Sequence, residues 1–203
     1  MNFKESHYIG IDPGLAKGKL GLSILHQNYS VKSYGVDVIK DMTGTIADTL
    51  RCEQLHKYVC SWLAKSIDKP LIIGGECVNA PIIAIEAPAF SRQPTRTIQT
   101  GMVHYALCRA ILSLKYAYIV VVPPTVLKKY VTGKGNANKE LMMESVIRKW
   151  FSASVPFFGA QDLYEAYALA EFGRFLFKTK DKKVKASVEA YKVKRFEVLP
   201  YKL

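Results

Sequence analysis

Acidic residues are scarce in this chain: 17 Asp and Glu stand against 29 Lys and Arg, which leaves a formal net charge of +12. Such a balance points to a polyanionic partner such as nucleic acid, although it says nothing about the fold. With 49% hydrophobic residues in 203 positions, the chain has enough apolar material for one domain with its own core.

Several features are missing, and each absence excludes a class of protein. The four cysteines form no C-x-x-C pair and no histidines stand at zinc spacing, so we expect reduced thiols and a cytoplasmic, intracellular protein. No apolar run reaches the roughly 18 residues of a membrane span. The N-terminal residues lead directly into a predicted strand, so no signal peptide is expected.

The order of predicted elements indicates an α/β fold, with a mixed five-stranded sheet flanked by helices. Alternating or continuous apolar runs predict strands over residues 7–12, 19–26, 29–39, 82–86 and 118–122. Apolar residues at helical spacing predict helices over residues 45–66, 97–114, 125–130, 138–150 and 160–177. A three-strand antiparallel meander followed by αβ units is the ribonuclease H-like order.

Four of the few acidic residues stand where a metal site could form. Asp12 and Glu86 each end an apolar run of strand character, while Asp162 and Glu165 share one face of a predicted helix. An Asp before a Pro-Gly turn, or an acidic pair on a helix, is common by itself. Four carboxylates brought together without cations would repel one another, however. Mg²⁺ prefers such oxygen ligands, and phosphodiester cleavage suits paired metal ions.

These acids lie in four stretches that occur in a fixed order: Ile9-Gly10-Ile11-Asp12-Pro13-Gly14, Ala84-Ile85-Glu86, residues 132–139 and residues 162–170. Together they resemble the four motifs of RuvC-type Holliday junction resolvases, over about residues 7 to 175. No single stretch is decisive, because I-D-P-G occurs widely, but four in register are specific.

The resemblance implies a homodimeric crossover junction endodeoxyribonuclease, a hydrolase of DNA recombination and repair that nicks branched DNA in pairs. Asp12, Glu86, Asp162 and Glu165 match the family's catalytic metal ligands. Two Mg²⁺ ions per active site are implied, for which Mn²⁺ would substitute, and they would activate the attacking water.

DNA contacts are also implied by the resemblance. Lys128 and Lys139 match two DNA-contacting lysines, and Phe90 matches an aromatic residue that wedges at the junction crossover. Lys134 stands between two glycines and is a further candidate, since a lysine in a glycine-rich loop at a helix start favours an anion. The loop is not a P-loop, because the G-K-[ST] ending is absent.

We divide the chain into a nuclease domain over residues 1–177 and a basic C-terminal extension over residues 178–203. The extension carries nine Lys and Arg against three Asp and Glu, which is half of the net charge. Residues 189–203 keep enough apolar side chains to dock as a strand.

Three segments depart from the family pattern: the basic extension, a proline-rich loop after Glu86 and a long segment over residues 41–81. They are typical of a divergent member, such as one encoded by a phage.

Three other functions fit part of the pattern. A ribonuclease H-like nuclease could act on RNA–DNA hybrids or flap DNA with the same carboxylates. A non-catalytic DNA-binding module would keep the basic groove, but its unpaired acids would repel DNA. A sugar-kinase-like ATPase also places an Asp before a glycine turn, but it needs a second glycine-rich phosphate loop, which the sequence lacks.

Overall fold

The computed structural model describes residues 7–13, 20–25, 44–88, 92–151, 161–194 and 197–203. Its strands in chain order are β1 (Tyr8–Asp12), β2 (Gly21–Leu25), β3 (Ile72–Ile73), β4 (Glu76–Cys77), β5 (Ile82–Glu86), β6 (Tyr116–Val122), β7 (Glu189–Lys194) and β8 (Glu197–Pro200). Its helices are α1 (Thr45–Ser66), α2 (Pro94–Leu112), α3 (Pro124–Thr132), α4 (Lys139–Trp150), α5 (Gln161–Lys178) and α6 (Lys182–Lys185).

One mixed sheet organises the described part of the chain, with the strand order β2-β1-β5-β6-β7-β8. The first two strands pair antiparallel, while β5 lies parallel to both β1 and β6. Residues 82–85 of the central strand are fully buried, as expected of an apolar run covered by helices on both faces. A short hairpin, β3–β4, forms a separate two-stranded sheet.

Most predicted elements are confirmed, with small differences at their ends. Helix α2 begins at Pro94, three residues before its predicted start, because proline suits the first helical position. Residues 70–81, for which the sequence predicts no helix or strand, contain the β3–β4 hairpin, whose turn uses Gly74 and Gly75 at positive φ. The predicted third strand, residues 29–39, lies outside the described residues.

The sheet is larger than the five strands predicted, because two C-terminal strands extend it. Strand β7 pairs antiparallel with β6, and β8 pairs with β7. The predicted docking of residues 189–203 as a strand is therefore confirmed. Tyr118 packs edge-on against Tyr201 with ring centroids 4.9 Å apart, and Lys192 of β7 lies 2.6 Å from the Glu76 carboxylate.

Helices cover the sheet on both faces. Helices α1 and α2 pack side by side over Ile9, Ile11, Ile83 and Ile85. Helices α3, α4 and α5 cover the opposite face, where Ala84, Val120 and Val122 lie. Because side chains alternate across a strand, even-numbered residues of β5 face α5 and odd-numbered residues face α2.

The state of the cysteines and the absence of a membrane span were both predicted from the sequence. All four cysteines are free thiols of intermediate burial. In the described parts of the chain, no helix has both the length and the apolar character that crossing a membrane requires.

Candidate active site

The ends of two neighbouring strands place two acidic side chains on one face of the sheet. Asp12 is the last residue of β1 and is buried, and Glu86 is the last residue of β5 and is half-buried. The two strands run parallel in a register that pairs Gly10 with Ala84, so both carboxyl ends lie at the same edge. Since side chains alternate, Asp12 lies on the face of Gly10 and Glu86 on the face of Ala84, which is the face that α5 covers.

Helix α5 crosses β1 in direct backbone contact at Gly10. A Cβ atom built on this glycine would lie 1.8 Å from the carbonyl oxygen of Ala166, closer than any side chain can come. The absence of a side chain on Gly10 therefore sets how closely α5 packs on the sheet. Glu165, the neighbour of Ala166 in the chain, is brought to the strand ends by this contact.

The electrostatics of Glu86 show that these charges are close together. Burial raises the pKa of the Glu86 carboxyl to about 7, and the negative charge of Glu165 acts in the same direction. The positive charges of Lys128 and Lys139 act in the opposite direction on the same pKa. One negatively charged and two positively charged side chains, each on a different helix, therefore lie near Glu86.

The two lysines are positioned by the loop that joins α3 to α4. Helix α3 ends at Gly133, which adopts the left-handed conformation with φ of 80°. Asn138 caps α4 by accepting a hydrogen bond of 2.9 Å from the Leu141 N–H, and Lys139 is the first residue of that helix. Lys139 consequently lies at the positive end of the helix dipole, where an anion is stabilised.

The donor set in this region suits a hard divalent cation. Carboxylate oxygens are the ligands that Mg²⁺ and Mn²⁺ accept, and a cation would offset both the burial and the repulsion by Glu165 that raise the pKa of Glu86. Among the described residues, no three His, Cys, Asp or Glu side chains form a compact ready-made metal cluster. The side chain of Asp162, the fourth predicted ligand, lies outside that description.

The structure brings some of the predicted site residues together and leaves others apart. The four that come together are Glu86, Glu165, Lys128 and Lys139, with Asp12 at the adjacent strand end. Lys134 is exposed in the loop between α3 and α4, where its N–H donates a 3.0 Å hydrogen bond to the Thr132 hydroxyl. Phe90 lies outside the described residues.

Two residues matter to the site that sequence reasoning does not single out. Gly10 stands in the sequence only as part of the first motif, although it sets the contact with α5. His104 of α2 hydrogen-bonds the backbone of Glu86. A histidine on a helix carries no signal of such a contact, which depends on how α2 packs beneath β5.

Comparison with known proteins gives relatives at low identity. No family model matches the chain. It is 24% identical to the crossover junction endodeoxyribonuclease RuvC of Chlamydia felis over 162 residues, which is 80% of this chain and 88% of that protein. It is likewise 24% identical to the protein of the same name from Neorickettsia sennetsu, over 80% of this chain and 89% of that one.

Solved structures give the same result for the fold. Thermus thermophilus RuvC superposes with a TM-score of 0.56 at 20% identity, covering 81% of this chain and 90% of that one. T. thermophilus RuvC in complex with Holliday junction substrate superposes with a TM-score of 0.58 at 18% identity and the same coverage. The chain therefore has the ribonuclease H-like fold of RuvC, and its likeness to RuvC extends over about four fifths of its length.

Proposed function

We propose that this chain is a metal-dependent endonuclease that resolves four-way (Holliday) DNA junctions by paired nicking of phosphodiester bonds. The observation that carries the proposal is the convergence of Glu86, Glu165, Lys128 and Lys139 beside the strand end that holds Asp12. Support also comes from relatives named crossover junction endodeoxyribonuclease and from the RuvC neighbour that holds a Holliday junction.

The carboxylates are assigned to metal binding in this proposal. Asp12, Glu86 and Glu165, with Asp162 one helical turn before Glu165, would hold two Mg²⁺ ions, and Mn²⁺ would substitute for them. When bound, these ions would supply a nucleophile at neutral pH and neutralise charge on the phosphate. The chain itself provides the fixed geometry, because two ligands lie on adjacent parallel strands and the others on a helix locked against them at Gly10.

The basic residues around the site are assigned to holding DNA. Lys128 and Lys139 lie near enough to Glu86 to change its pKa, so a phosphate beside the carboxylates would also lie beside these lysines. Exposed Lys134 would contact the backbone further out. We keep Phe90, four residues after Glu86 in the sequence, as the aromatic residue that stacks at the junction crossover, where stacking contributes about 1–3 kcal/mol per base.

A homodimer is part of the proposal, because a four-way junction must be cut at two symmetric positions and a two-fold dimer matches that geometry. The outer face of α2 supports it. Ile98, Tyr105 and Leu112 recur every seven residues and are 63%, 66% and 42% exposed. Helix α1 lies beside α2, joined by a 2.9 Å hydrogen bond from Gln99 to Asp48, and its Ile46 is also exposed.

Less specific features complete the proposal. An enzyme acting on recombining DNA works in the cytoplasm of a bacterium or of a phage-infected host. A phage origin, and the division at residue 177 into nuclease domain and basic extension, stay predictions.

A cleavage assay with three labelled substrates tests the function. A four-way junction, an RNA–DNA hybrid and a plain duplex are incubated with the protein, with and without Mg²⁺. We expect paired nicks in the junction only, and only with metal. Cleavage of the hybrid alone would support the alternative hybrid nuclease, and junction binding without any cleavage would support the non-catalytic module.

Substitution of the carboxylates tests the site. Asp12→Asn and Glu86→Gln should each lower the cleavage rate by about a thousandfold or more, because a metal ligand supplies several kcal/mol to the transition state. Junction binding should persist or tighten, since negative charge beside the phosphate is removed. Glu144→Gln, an equal charge change at an exposed position of α4, is the matched control and should cleave normally. Near-normal cleavage by either site variant would refute the metal assignment.

A further inference from the structure

The hydrogen-bond ladder between β1 and β5 stops at the residue that carries a candidate ligand. In a parallel pair, alternate residues of one strand direct both N–H and C=O toward the other strand. The N–H of Ile82 donates to the His7 carbonyl at 2.8 Å, so the even-numbered residues of β5 direct their backbone N–H and C=O groups toward β1. The N–H of Ala87 donates instead to Val122 of β6, also at 2.8 Å, which agrees with this alternation.

Continuing the ladder identifies a missing donor. The register pairs Tyr8 with Ile82 and Gly10 with Ala84, so the next pair would be Asp12 with Glu86. In that pair the carbonyl of Glu86 would accept a hydrogen bond from the N–H of residue 13. That residue is Pro13, which has no N–H, and the pairing ends at Ile11 with Ile85.

His104 reaches this carbonyl from α2. Burial lowers the pKa of His104, and its hydrogen bond to the Glu86 backbone acts in the opposite direction. A bond that favours the protonated ring identifies the acceptor as the carbonyl oxygen, because a backbone N–H would disfavour it. The Nδ1 atom is buried and has no hydrogen-bond partner among the described residues, so Nε2 is the donor. With its proton on Nε2, the imidazole donates whether it is neutral or charged.

We propose that His104 is a positioning residue that replaces the amide missing at Pro13 and holds the end of β5, so that the Glu86 carboxylate stays facing Asp12 and Glu165. An unsatisfied carbonyl at this half-buried strand end would be costly and would favour fraying of the last residue. Since that residue is Glu86, fraying would displace a metal ligand. The inference rests on the metal site of the proposed function, but not on the DNA substrate or on the cleavage of it.

Two substitutions of His104 distinguish the effect of losing the hydrogen-bond donor from the effect of losing the volume of the ring. His104→Ala removes the donor and should weaken Mn²⁺ binding, measured by titration calorimetry, by about tenfold to a hundredfold, the usual effect of losing a group that orients a ligand. The turnover rate should fall similarly, with the affinity for the junction unchanged. His104→Gln, whose amide N–H extends about as far as Nε2, should recover most of both losses.

Substitution of Pro13 provides the decisive test. Pro13→Ala supplies an N–H at residue 13, which can complete the ladder to Glu86. In that background, His104→Ala should change Mn²⁺ affinity by no more than about threefold, because the two donors satisfy the same carbonyl and their effects are not additive. Val103→Ala removes packing volume from the adjacent position of α2 and is the matched control. It should leave Mn²⁺ affinity unchanged and should show no rescue by Pro13→Ala.

The outcomes separate this inference from the proposed nuclease function. Equal losses on His104→Ala with and without Pro13→Ala would overturn the positioning role, as would normal Mn²⁺ binding by His104→Ala. If the native chain binds Mn²⁺ but cuts no junction, the nuclease proposal fails, and the binding cycle still decides the role of His104. If the native chain binds no Mn²⁺, both proposals fail. Thermal unfolding of each variant confirms that the compared proteins are folded.

Discussion

At the scale of single residues, the packing of α5 on β1 requires glycine at position 10, because any larger side chain would meet the backbone of α5. A Cβ there would meet the backbone of α5 at the Ala166 carbonyl and, at 2.6 Å, at the Ala170 amide, and neither backbone group can rotate away. We expect Gly10→Ala to lower the free energy of unfolding by about 3 kcal/mol or more, at or above the upper end of overpacking costs. Urea denaturation measures this.

Gly101, within α2, is the matched control for that substitution, because a Cβ built there meets nothing within 4 Å. Gly101→Ala should raise stability by roughly 0.5–1 kcal/mol, since alanine restricts the unfolded chain and favours the helix. If the two substitutions had similar effects, α5 would not be locked on β1 at Gly10.

The raised pKa of Glu86 predicts how the stability of the folded chain changes with pH. Its pKa is about 7 in the folded chain against an ordinary value of 4.5, because of burial and the negative charge of Glu165. Below about pH 4.5 the carboxyl is protonated in both states, and above about 7 it is ionised in both. Between these values only the unfolded chain releases the proton, so rising pH favours unfolding.

The metal-free protein should therefore lose about 3 kcal/mol of stability from this group as pH rises through that window. The measurement is urea denaturation of the native chain and Glu86→Gln in a chelating buffer at several pH values. The difference between the two should change across the window, and added Mg²⁺ should restore stability at the upper end. A difference independent of pH would contradict the environment assigned to Glu86.

At the scale of elements, α2 has two faces with different consequences. Its inner residues, Ala106, Leu107, Ala110 and Ile111, are buried against the sheet, while Tyr105 and Ile98 are exposed. If the outer face pairs with a second copy, Tyr105→Asp should convert the protein to a monomer, because a charge would be buried at the interface. Sedimentation measures the change.

The matched control is Ile73→Asp, the same kind of change at a residue of β3 that is 61% exposed and does not belong to α2. This variant should remain a dimer. The Tyr105→Asp monomer should still nick junctions, but it should lose the pairing of the two cuts. A native chain that sediments as a monomer would refute the dimer.

Most elements were predictable because their signals are local. The apolar run that forms β5 and the helical periodicity of α1 each determine an element without knowledge of the rest of the chain. The contact of Gly10 with α5 could not be predicted, since it joins residues from opposite ends of the chain. The role of His104 depends on strand register, which a single sequence does not give.

The site was predictable to a similar degree. Asp12, Glu86 and Glu165 were predicted as ligands from strand ends and helix spacing. In the structure Asp12 and Glu86 end neighbouring parallel strands and Glu165 lies near Glu86, while their role as ligands stays a prediction. Their environment was not predictable, because the raised pKa of Glu86 arises from burial and from neighbours on other elements.

At the scale of the whole molecule, half of the net positive charge lies in residues 178–203, and the later part of this segment forms β7 and β8 of the sheet. Strand β7 covers the edge of β6, and Tyr201 packs against Tyr118 and Phe177. Deleting residues 189–203 should therefore cost several kcal/mol of stability, because it uncovers an apolar strand edge. Measuring what the positive charge contributes to DNA binding requires substitutions that leave the sheet intact.

Replacing the exposed residues Lys180, Lys182 and Lys183 by Gln removes charge without touching the sheet. If these lysines bind DNA, the slope of log affinity against log salt should flatten by about 0.9 for each phosphate that is no longer neutralised. The urea midpoint should stay unchanged. An unaltered slope would show that this part of the extension does not touch DNA.

The candidate ligands come from segments that are far apart in the chain: β1, β5 and α5. Joining them requires closure of two long loops, and such contacts form slowly and late during folding. A chain in which α5 has not yet docked on β1 holds its candidate ligands apart. Under the proposed function, cutting would therefore begin only after the contact at Gly10 has formed, so a partly folded copy would not cut DNA.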